Sequence, residues 1–338
     1  MESALAAGAE WPGAVAVSGG ADSLALQFLL ADWAATEERP RPVVLTVDHG
    51  LQPNSKLTAR AVATRAASRG LAAHILRWTG RKPLADIEAA ARDARYQLMG
   101  KWCQRNGLRS LFVAHSLEDQ AETFLLRLMR GSGVDGLAAM SPLAPLPAPH
   151  CEGLRIVRPL LSVPRARLRS FLVERKETWF DDPMNADLRF ARARLRTSWS
   201  ALQDMGFSAD RIAAAARHLA RARSTLDQAA SDLLAQAARK QGDGVLLDGN
   251  TFSAVPEETA LRALARVLMQ VSGRFYRPRF ERLERLAAAV RLDKVKGGRT
   301  LHGCCIRPAP KRNACFGPRT VHVAPEARPP RSGRERAD

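Results

Sequence analysis

Six residues near the start of the chain could do chemistry together: Ser18, Gly19, Gly20, Ala21, Asp22 and Ser23. They follow the apolar run Ala14-Val15-Ala16-Val17 and precede Leu24-Ala25-Leu26-Gln27-Phe28-Leu29-Leu30. That order is the pattern of a buried strand, a tight glycine turn and an amphipathic helix. A helix N-terminus turns unpaired backbone N–H groups and the positive end of its dipole toward whatever occupies the turn. Two glycines let the backbone approach an anion closely and two serines add hydroxyl donors, so the turn reads as a phosphate cradle. It has neither the G-x-x-x-x-G-K-[ST] nor the G-x-G-x-x-G spacing. Asp22 would repel phosphates unless a cation lay between them, which points to Mg²⁺ held by Asp22 and phosphate oxygens. The plainer alternative is a Gly-Gly turn in which Asp22 and Ser23 only cap a helix. The complete strand, turn and helix arrangement favours the nucleotide.

A second group follows a later strand, in Ala114-His115-Ser116-Leu117-Glu118-Asp119-Gln120-Ala121-Glu122-Thr123. His115 stands at the strand end. Glu118, Asp119 and Glu122 share one side of the next helix, since residues three and four apart are neighbours. Carboxylates clustered beside a phosphate loop could bind Mg²⁺ or a cationic substrate amine; equally, an acidic first turn complements the helix dipole. Arg130, before Gly131-Ser132-Gly133, reads either as a phosphate clamp or as a helix C-terminal residue.

The elements that must position these groups alternate in type. Strands are expected at 14–17, 43–47, 72–78 and 110–114, with helices at 55–69, 86–105 and 116–129. Repeated βα units predict an α/β fold with a doubly wound parallel sheet, whose ligands gather at the carboxyl ends of its strands. The loop at 18–23, Asp48-His49 and His115 all fall at such ends. Residues 141–153, with four prolines, read as a surface loop and 154–161 as a fifth strand. Beyond residue 205 the texture changes to Ala/Arg-rich helix at 208–240, a hairpin or strand at 243–250, helices at 257–271 and 279–292, and a turn and strand at 297–304. The domains expected are therefore a nucleotide-binding catalytic domain over 1–204, a smaller, mainly helical basic domain over 205–323, and a disordered tail over 324–338.

Composition narrows the partners. The chain has 338 residues, 46% of them hydrophobic, and a formal net charge of +18. Two domains with real cores fit that length, and the charge excess predicts attraction to nucleic acid first and to a membrane surface second. At 6% aromatic residues and two tyrosines, a base-stacking platform is not expected. The five cysteines show no C-x-x-C pair, so reduced thiols in the cytoplasm are expected. Residues 1–13 lack the basic and apolar regions of a signal peptide, and no apolar run approaches a membrane span.

In its strand–turn–helix setting, the Ser18–Ser23 turn resembles the pyrophosphate loop (PP-loop) of the ATP pyrophosphatase family, whose members cleave ATP between its α and β phosphates. Further along, the chain is similar to the tRNA(Ile)-lysidine synthetase family within that group, whose pattern runs V-D-H-G-L-R, E-x-A-A-R-x-x-R-Y, A-H-H-x-D-D-Q-x-E-T, R-G-S-G-x-x-G-L and an arginine-rich D-x-S-N-x-D segment. This chain has Val47-Asp48-His49-Gly50-Leu51-Gln52, then Glu88 to Tyr96 with Arg92 and Arg95, then the His115 block. After Arg130-Gly131-Ser132-Gly133 comes Asp182-Pro183-Met184-Asn185-Ala186-Asp187, followed by Arg192, Arg194 and Arg196. Gln52, Ser116, Glu118, Met184 and Ala193 depart from the pattern, standing for Arg, His, Asp, Ser and Asn.

The resemblance implies an enzyme that uses ATP and Mg²⁺ to adenylate the wobble cytidine of tRNA(Ile) with a CAU anticodon, then ligates free L-lysine there. It implies that Ser18, Gly19, Gly20, Ala21, Asp22 and Ser23 hold phosphates and metal, and that Asp48, His49 and His115 position the adenylate. Asp119 and Glu122 become candidates for lysine recognition. Arg92, Arg95, Arg130, Arg192 and Arg194 become candidates for phosphates or tRNA backbone, although Arg92 and Arg95 would serve equally as salt-bridging residues of an exposed helix. A membrane partner is not expected, and a homodimer is one option for the assembly. Three rivals remain: a tRNA thiolase of the same family, disfavoured because the only adjacent cysteines are Cys304 and Cys305; an amidotransferase-linked synthetase; and an RNA-binding module without activity, which would leave the loop unexplained.

Overall fold

A computed structural model describes residues 1–80, 82–83, 86–181, 187–274 and 276–326. Two compact units divide the chain, residues 1–220 and 221–338.

In the first unit, α1 (Glu2–Ala6) precedes β1 (Ala14–Ala16), α2 (Ala21–Thr36), β2 (Val43–Asp48), α3 (Ser55–Ala67) and β3 (Ala73–Arg77). Then come α4 (Ile87–Arg105), β4 (Ser110–Phe112), α5 (Leu117–Leu128), α6 (Val134–Leu137), β5 (Leu143–Pro145), β6 (Arg155–Val157) and α7 (Arg165–Glu174). Two short helices follow, α8 (Ala191–Thr197) and α9 (Trp199–Asp204), and α10 (Ala209–Ala237) runs across the division between units. The six strands form one sheet in the order β3-β2-β1-β4-β6-β5, parallel except for β5.

Period-two alternation sends the strand side chains to two cores. Val15, Val44, Phe112 and Val157 join Leu24 and Phe28 of α2 and Leu168 and Leu172 of α7 in one cluster. Ala14, Leu45, Leu111 and Ile156 face Tyr96, Met99 and Cys103 of α4 in the other. Each fully buried side chain of this size stabilises the fold by about 1.5–3 kcal/mol, and the buried β-branched runs are what a sheet covered on both faces requires. The order fixes the place for a ligand. From β1 the chain winds outward to β2 and β3, returns to β4 beside β1, and winds the other way. The carboxyl ends of β1 and β4 therefore flank a topological switch point.

Two expectations for this unit change. Residues 141–153 are not simply a surface loop: β5 pairs antiparallel with β6, and Leu146, Ala148 and Cys151 are buried. Proline is tolerated there because β5 is an edge strand. The division falls at 220/221 rather than 204/205, because Ile212 of α10 packs on Ala121 and Leu125 of α5.

The second unit completes α10 and adds β7 (Ala238–Gln241), β8 (Gly244–Asp248), α11 (Gly249–Ala254), α12 (Glu257–Ser272), α13 (Phe280–Arg291), β9 (Arg299–Leu301), β10 (Cys304–Pro308) and β11 (Thr320–Pro325). Its five strands form an antiparallel sheet in the order β7-β8-β11-β10-β9, against which α12 and α13 bury Leu264, Leu268, Leu286 and Val290. β11 runs to Pro325, so the expected tail cannot begin at 324; the remainder of that expectation, from residue 327, lies outside the described residues. Among the described residues no helix is long and apolar enough to cross a membrane.

Candidate active site

The loop between β1 and α2 is built around two serines. Ser23 Oγ accepts the Ser18 N–H at 3.2 Å, lies 3.2 Å from Ser18 Oγ and donates to the Gly20 carbonyl at 2.9 Å. Gly20 is the N-cap of α2 and has no side chain to cap it, so the first N–H groups of the helix are left for a ligand. Gly19 has φ +93°, and a Cβ there would stand 3.1 Å from Thr58 Cγ2, 3.2 Å from Phe180 Cδ2 and 3.3 Å from Val62 Cγ2. Both the left-handed backbone and the packing demand glycine. Gly19→Ala should destabilise the protein by about 2–3 kcal/mol, with a KM for ATP raised about tenfold or more if the loop holds the triphosphate. Denaturant unfolding and ATP titration of the same variant check both.

The chain that packs on Gly19 comes from beyond α7. Phe180 donates its N–H to the Gly19 carbonyl at 3.0 Å. Arg65 of α3 donates to the Thr178 carbonyl, and the neighbouring Arg69 pairs with Glu177. The Asp182–Ala186 part of the arginine-rich motif lies outside the described residues.

Beside the loop, after β4, Ser116 begins α5 with a capping box. Asp119 Oδ2 accepts the Ser116 N–H at 2.8 Å and its hydroxyl at 3.1 Å, and Ser116 Oγ faces the Asp119 N–H. This accounts for serine where the family pattern has histidine, since a hydroxyl is a strong N-cap. Gln120 exchanges both of its amide hydrogen bonds with the Met140 backbone (2.7 and 2.8 Å), and Arg127 donates to the Gly136 and Ala139 carbonyls. The glycine-rich turn after Arg130 is thereby fastened to α5, and Arg130 itself is exposed at the helix end.

Sequence reasoning missed the centre of the site. Arg165, first residue of α7, directs Nε to Asp22 Oδ2 at 3.3 Å, Nη1 to Glu122 Oε1 at 3.0 Å and Nη2 to Asp119 Oδ1. Its backbone N–H reaches both oxygens of Glu118, at 3.1 and 3.0 Å. Arg196 of α8 forks onto Glu122, with Nε to Oε1 at 2.7 Å and Nη2 to Oε2 at 3.1 Å. The carboxylates expected to stand open for a cation thus already meet two guanidiniums, and Glu122 is only 2% exposed. The cue for Arg165 was Pro164 ahead of Leu168 and Leu172, a helix start with an apolar face.

Burial pushes the Asp22 carboxyl up, and the nearby Arg165 only partly offsets it. Burial would also raise Asp119, but Arg165 and the Ser116 N–H outweigh it and hold Asp119 low. Burial would lower Arg165; Asp119, Glu122 and Asp22 drive it higher still. A magnesium ion fits this donor set. Asp22 is a hard carboxylate at a helix N-terminus whose charge is not fully matched, and Mg²⁺ commonly needs just one or two protein carboxylates beside phosphate oxygens. Among the described residues no three His, Cys, Asp or Glu side chains gather as a metal-binding group.

His115 is pushed down to about 3 by burial, opposed by Asp119 and reinforced by the positive charges of Arg158, Arg192 and Arg92. It is therefore a neutral imidazole at pH 7, and its Nδ1 is buried with no hydrogen-bond partner among the described residues. Arg158, buried at 8% exposure, donates to the Ser141 carbonyl at 2.7 Å. Arg192 and Arg196 lie one turn apart on α8, so both turn toward the site. Arg194, two positions on, faces away and donates to the Leu188 and Arg189 carbonyls at 3.0 and 2.9 Å. Arg92 and Arg95 flank the Tyr96 ring on α4, each 5.9 Å from its centroid.

Asp48, at the end of β2, does something local. Its Oδ1 accepts the Ser55 hydroxyl at 2.6 Å and the Gly50 N–H at 3.1 Å, and the Ser55 bond draws its carboxyl below the usual range. His49 stands edge-on to Trp78 at 6.4 Å. The structure thus brings Asp22, Asp119 and Glu122 into one cluster, places His115 with Arg92 and Arg192 on its flank, and leaves Arg130 and Arg194 on the exterior.

The family model for a PP-loop domain matches residues 9–201. The chain is 41% identical over 298 residues to the tRNA(Ile)-lysidine synthase of Ruegeria pomeroyi, a match covering 86% of this chain and 68% of the relative. With that of Methylobacterium nodulans the identity is 40% over 317 residues, covering 89% and 91%. With that of Rhodopseudomonas palustris it is 38% over 346 residues, covering 97% and 95%. Among solved structures, the U34-tRNA thiolase NcsA of Methanococcus maripaludis superposes with a TM-score of 0.50 at 16% identity, over 62% of this chain and 71% of that one. At that identity the likeness is one of fold.

Proposed function

Because this chain belongs to the tRNA(Ile)-lysidine synthase family of PP-loop proteins, we propose that its site ligates L-lysine to C2 of the wobble cytidine of tRNA(Ile) with a CAU anticodon. The observation that carries the reading is convergence. The phosphate loop after β1 and the His115–Glu122 segment after β4 meet at the switch point of the sheet, a nucleotide site beside a buried anionic cluster. ATP use follows from membership of the PP-loop family; lysine, magnesium and the residue roles are proposed from the geometry of the site.

The reaction has two displacements. The C2 oxygen of the cytidine attacks the α-phosphorus of ATP and pyrophosphate leaves. The lysine amine then attacks C2, loses a proton, and AMP departs with the oxygen. Ser18, Gly19, Gly20, Ala21 and Ser23 form the cradle for the triphosphate, which is bound by the N–H groups opening α2 and by the Ser18 hydroxyl while Ser23 braces the loop. Asp22 would hold Mg²⁺, which neutralises the phosphates. Asp119 and Glu122 bind the lysine ammonium, each keeping acceptor capacity beyond the bonds to arginine. His115, held neutral by burial, positions the adenylate through its ring rather than by taking a proton. Arg92, Arg95, Arg130, Arg192 and Arg194 are assigned to phosphates of the adenylate or the tRNA, and Asp48 with His49 shape the crevice wall. The basic second domain carries the tRNA body, and the reaction belongs in the cytoplasm with its tRNA.

Reversing the charges of Arg192 and Arg194 should weaken tRNA binding and reduce the slope of log affinity against log salt by about one to two, since each lost phosphate contact removes about one released counterion. An unchanged slope would make them structural. The function itself is tested by incorporation of labelled L-lysine into tRNA(Ile) bearing CAU, with and without ATP, against tRNA(Met) as decoy. ATP-dependent labelling of the first alone is expected. ATP binding without labelling would turn the reading toward another PP-loop reaction.

A further inference from the structure

Arg165 is placed unlike the arginines assigned to phosphates. Its guanidinium faces three carboxylates from two elements, Asp22 on α2 and Asp119 and Glu122 on α5. Its side chain is 21% exposed and that of Glu122 only 2%. Its own backbone is fixed as well, because both oxygens of Glu118 accept the Arg165 N–H at the start of α7. Glu118 stands where the family pattern has aspartate, and the longer side chain makes that reach. Four carboxylates, Asp22, Glu118, Asp119 and Glu122, thus outnumber the two arginines that bond to them, Arg165 and Arg196.

Resting on the lysine-ligating reading above, we propose that Arg165 is a positioning residue for the lysine step: a tethered guanidinium that fixes Asp119 and Glu122 as an oriented receptor for the substrate ammonium and ties that receptor to Asp22 of the phosphate loop. The planar fork suits the task. Its donors point in set directions, and with the bonds from Ser116 and Arg196 also counted, Asp119 Oδ1 and Glu122 Oε2 each keep an acceptor position for an ammonium, which donates without directional preference. Without the guanidinium, Asp119 and Glu122 face each other's charge in a buried setting and rotate apart or take up protons, and either change removes the receptor. Arg165 touches neither reacting atom.

The test separates the two displacements. Pyrophosphate release with ATP and tRNA(Ile) in the absence of lysine reports the first, and the lysine dependence of incorporation reports the second. Arg165→Gln is expected to raise the KM for lysine about thirtyfold or more, the size of effect seen when one partner of a buried charge pair is removed. Pyrophosphate release should fall by less than about fivefold, and Arg165→Lys, which restores the charge without the fork, should recover part of the lysine KM. A residue that merely held the fold would lower kcat and both steps together. A lysine KM within twofold of wild type in Arg165→Gln, or an Arg165→Lys no better than Arg165→Gln, would overturn the proposal. Should Arg165→Gln fail to fold, Arg165→Lys carries the test alone: a raised lysine KM with near-normal pyrophosphate release supports the proposal, and a wild-type lysine KM overturns it. Failure of the functional reading shows in a different place, as a wild-type chain that incorporates no lysine.

Discussion

Asp22→Asn should lower ATP-dependent lysine incorporation by about a thousandfold, the upper range for losing one electrostatic contact to a reacting group, while tRNA affinity stays within about twofold of wild type. The asymmetry follows from position. Asp22 lies in the first turn of α2, among the N–H groups left open by Gly20, and its only described ion pair is the 3.3 Å contact with Arg165 Nε. Asparagine keeps the shape and removes the charge that a magnesium-bound triphosphate would use. It also releases one edge of Arg165, so part of the loss should appear in the lysine KM; that share is read by repeating the assay at saturating lysine. tRNA affinity, measured by filter retention at fixed salt, depends on phosphate contacts made by arginines elsewhere. Retained turnover would remove Asp22 from the metal and return it to the role of a helix-capping residue.

The parts of this site that follow one another in sequence were legible; the parts that meet only in space were not. The phosphate loop is a local object, a strand, two glycines and a helix, and its residues announce their geometry. The βα alternation from 14 to 129 likewise follows from apolar periodicity, whereas the strand order that creates the switch point is visible only in the fold. Arg165 gave no comparable sign. It is an arginine in an arginine-rich chain, and its importance comes from α7 packing on α2 through Leu168 and Leu172, which sets the guanidinium between Asp22 and Glu122. Arg196 was visible as one of three alternating arginines, but only the helical turn of α8 separates it, facing Glu122, from Arg194, facing the Leu188 carbonyl. The edge strand β5 was hidden by its prolines, whose missing N–H matters little where no further strand pairs. In the second unit, β9 and β10 form a tight hairpin, but β11 pairs back to β8 across α11, α12 and α13 and lies beyond the segment whose pattern had been readable.

The acidic side of α5 admits two readings, a helix complementing its own dipole or a receptor for a cation, and Glu122→Gln distinguishes them. Glu122 sits in the second turn of α5, where the dipole no longer favours an anion strongly, yet it is 2% exposed and takes three charged hydrogen bonds from Arg165 and Arg196. Glutamine keeps the volume but offers one acceptor oxygen and turns donors toward a guanidinium. Removing one member of a buried ion pair typically costs 3–5 kcal/mol. Arg165 and Arg196 retain 21% and 35% of their side-chain exposure, so water will screen what is left, and about 2–3 kcal/mol is expected here. For a unit of this size that is a fall in Tm of roughly 5–10 °C. A purely structural Glu122 predicts this loss with the KM for lysine unchanged at a temperature where the variant is folded. A receptor predicts in addition a lysine KM raised about a hundredfold, with pyrophosphate release in the absence of lysine much less affected. Asp119→Asn supplies the control, because Asp119 holds the α5 cap through Ser116 as well as facing Arg165. Its lysine KM should rise with that of Glu122→Gln, and the two effects should be less than additive in the double variant, since both carboxylates act through one ammonium and one guanidinium.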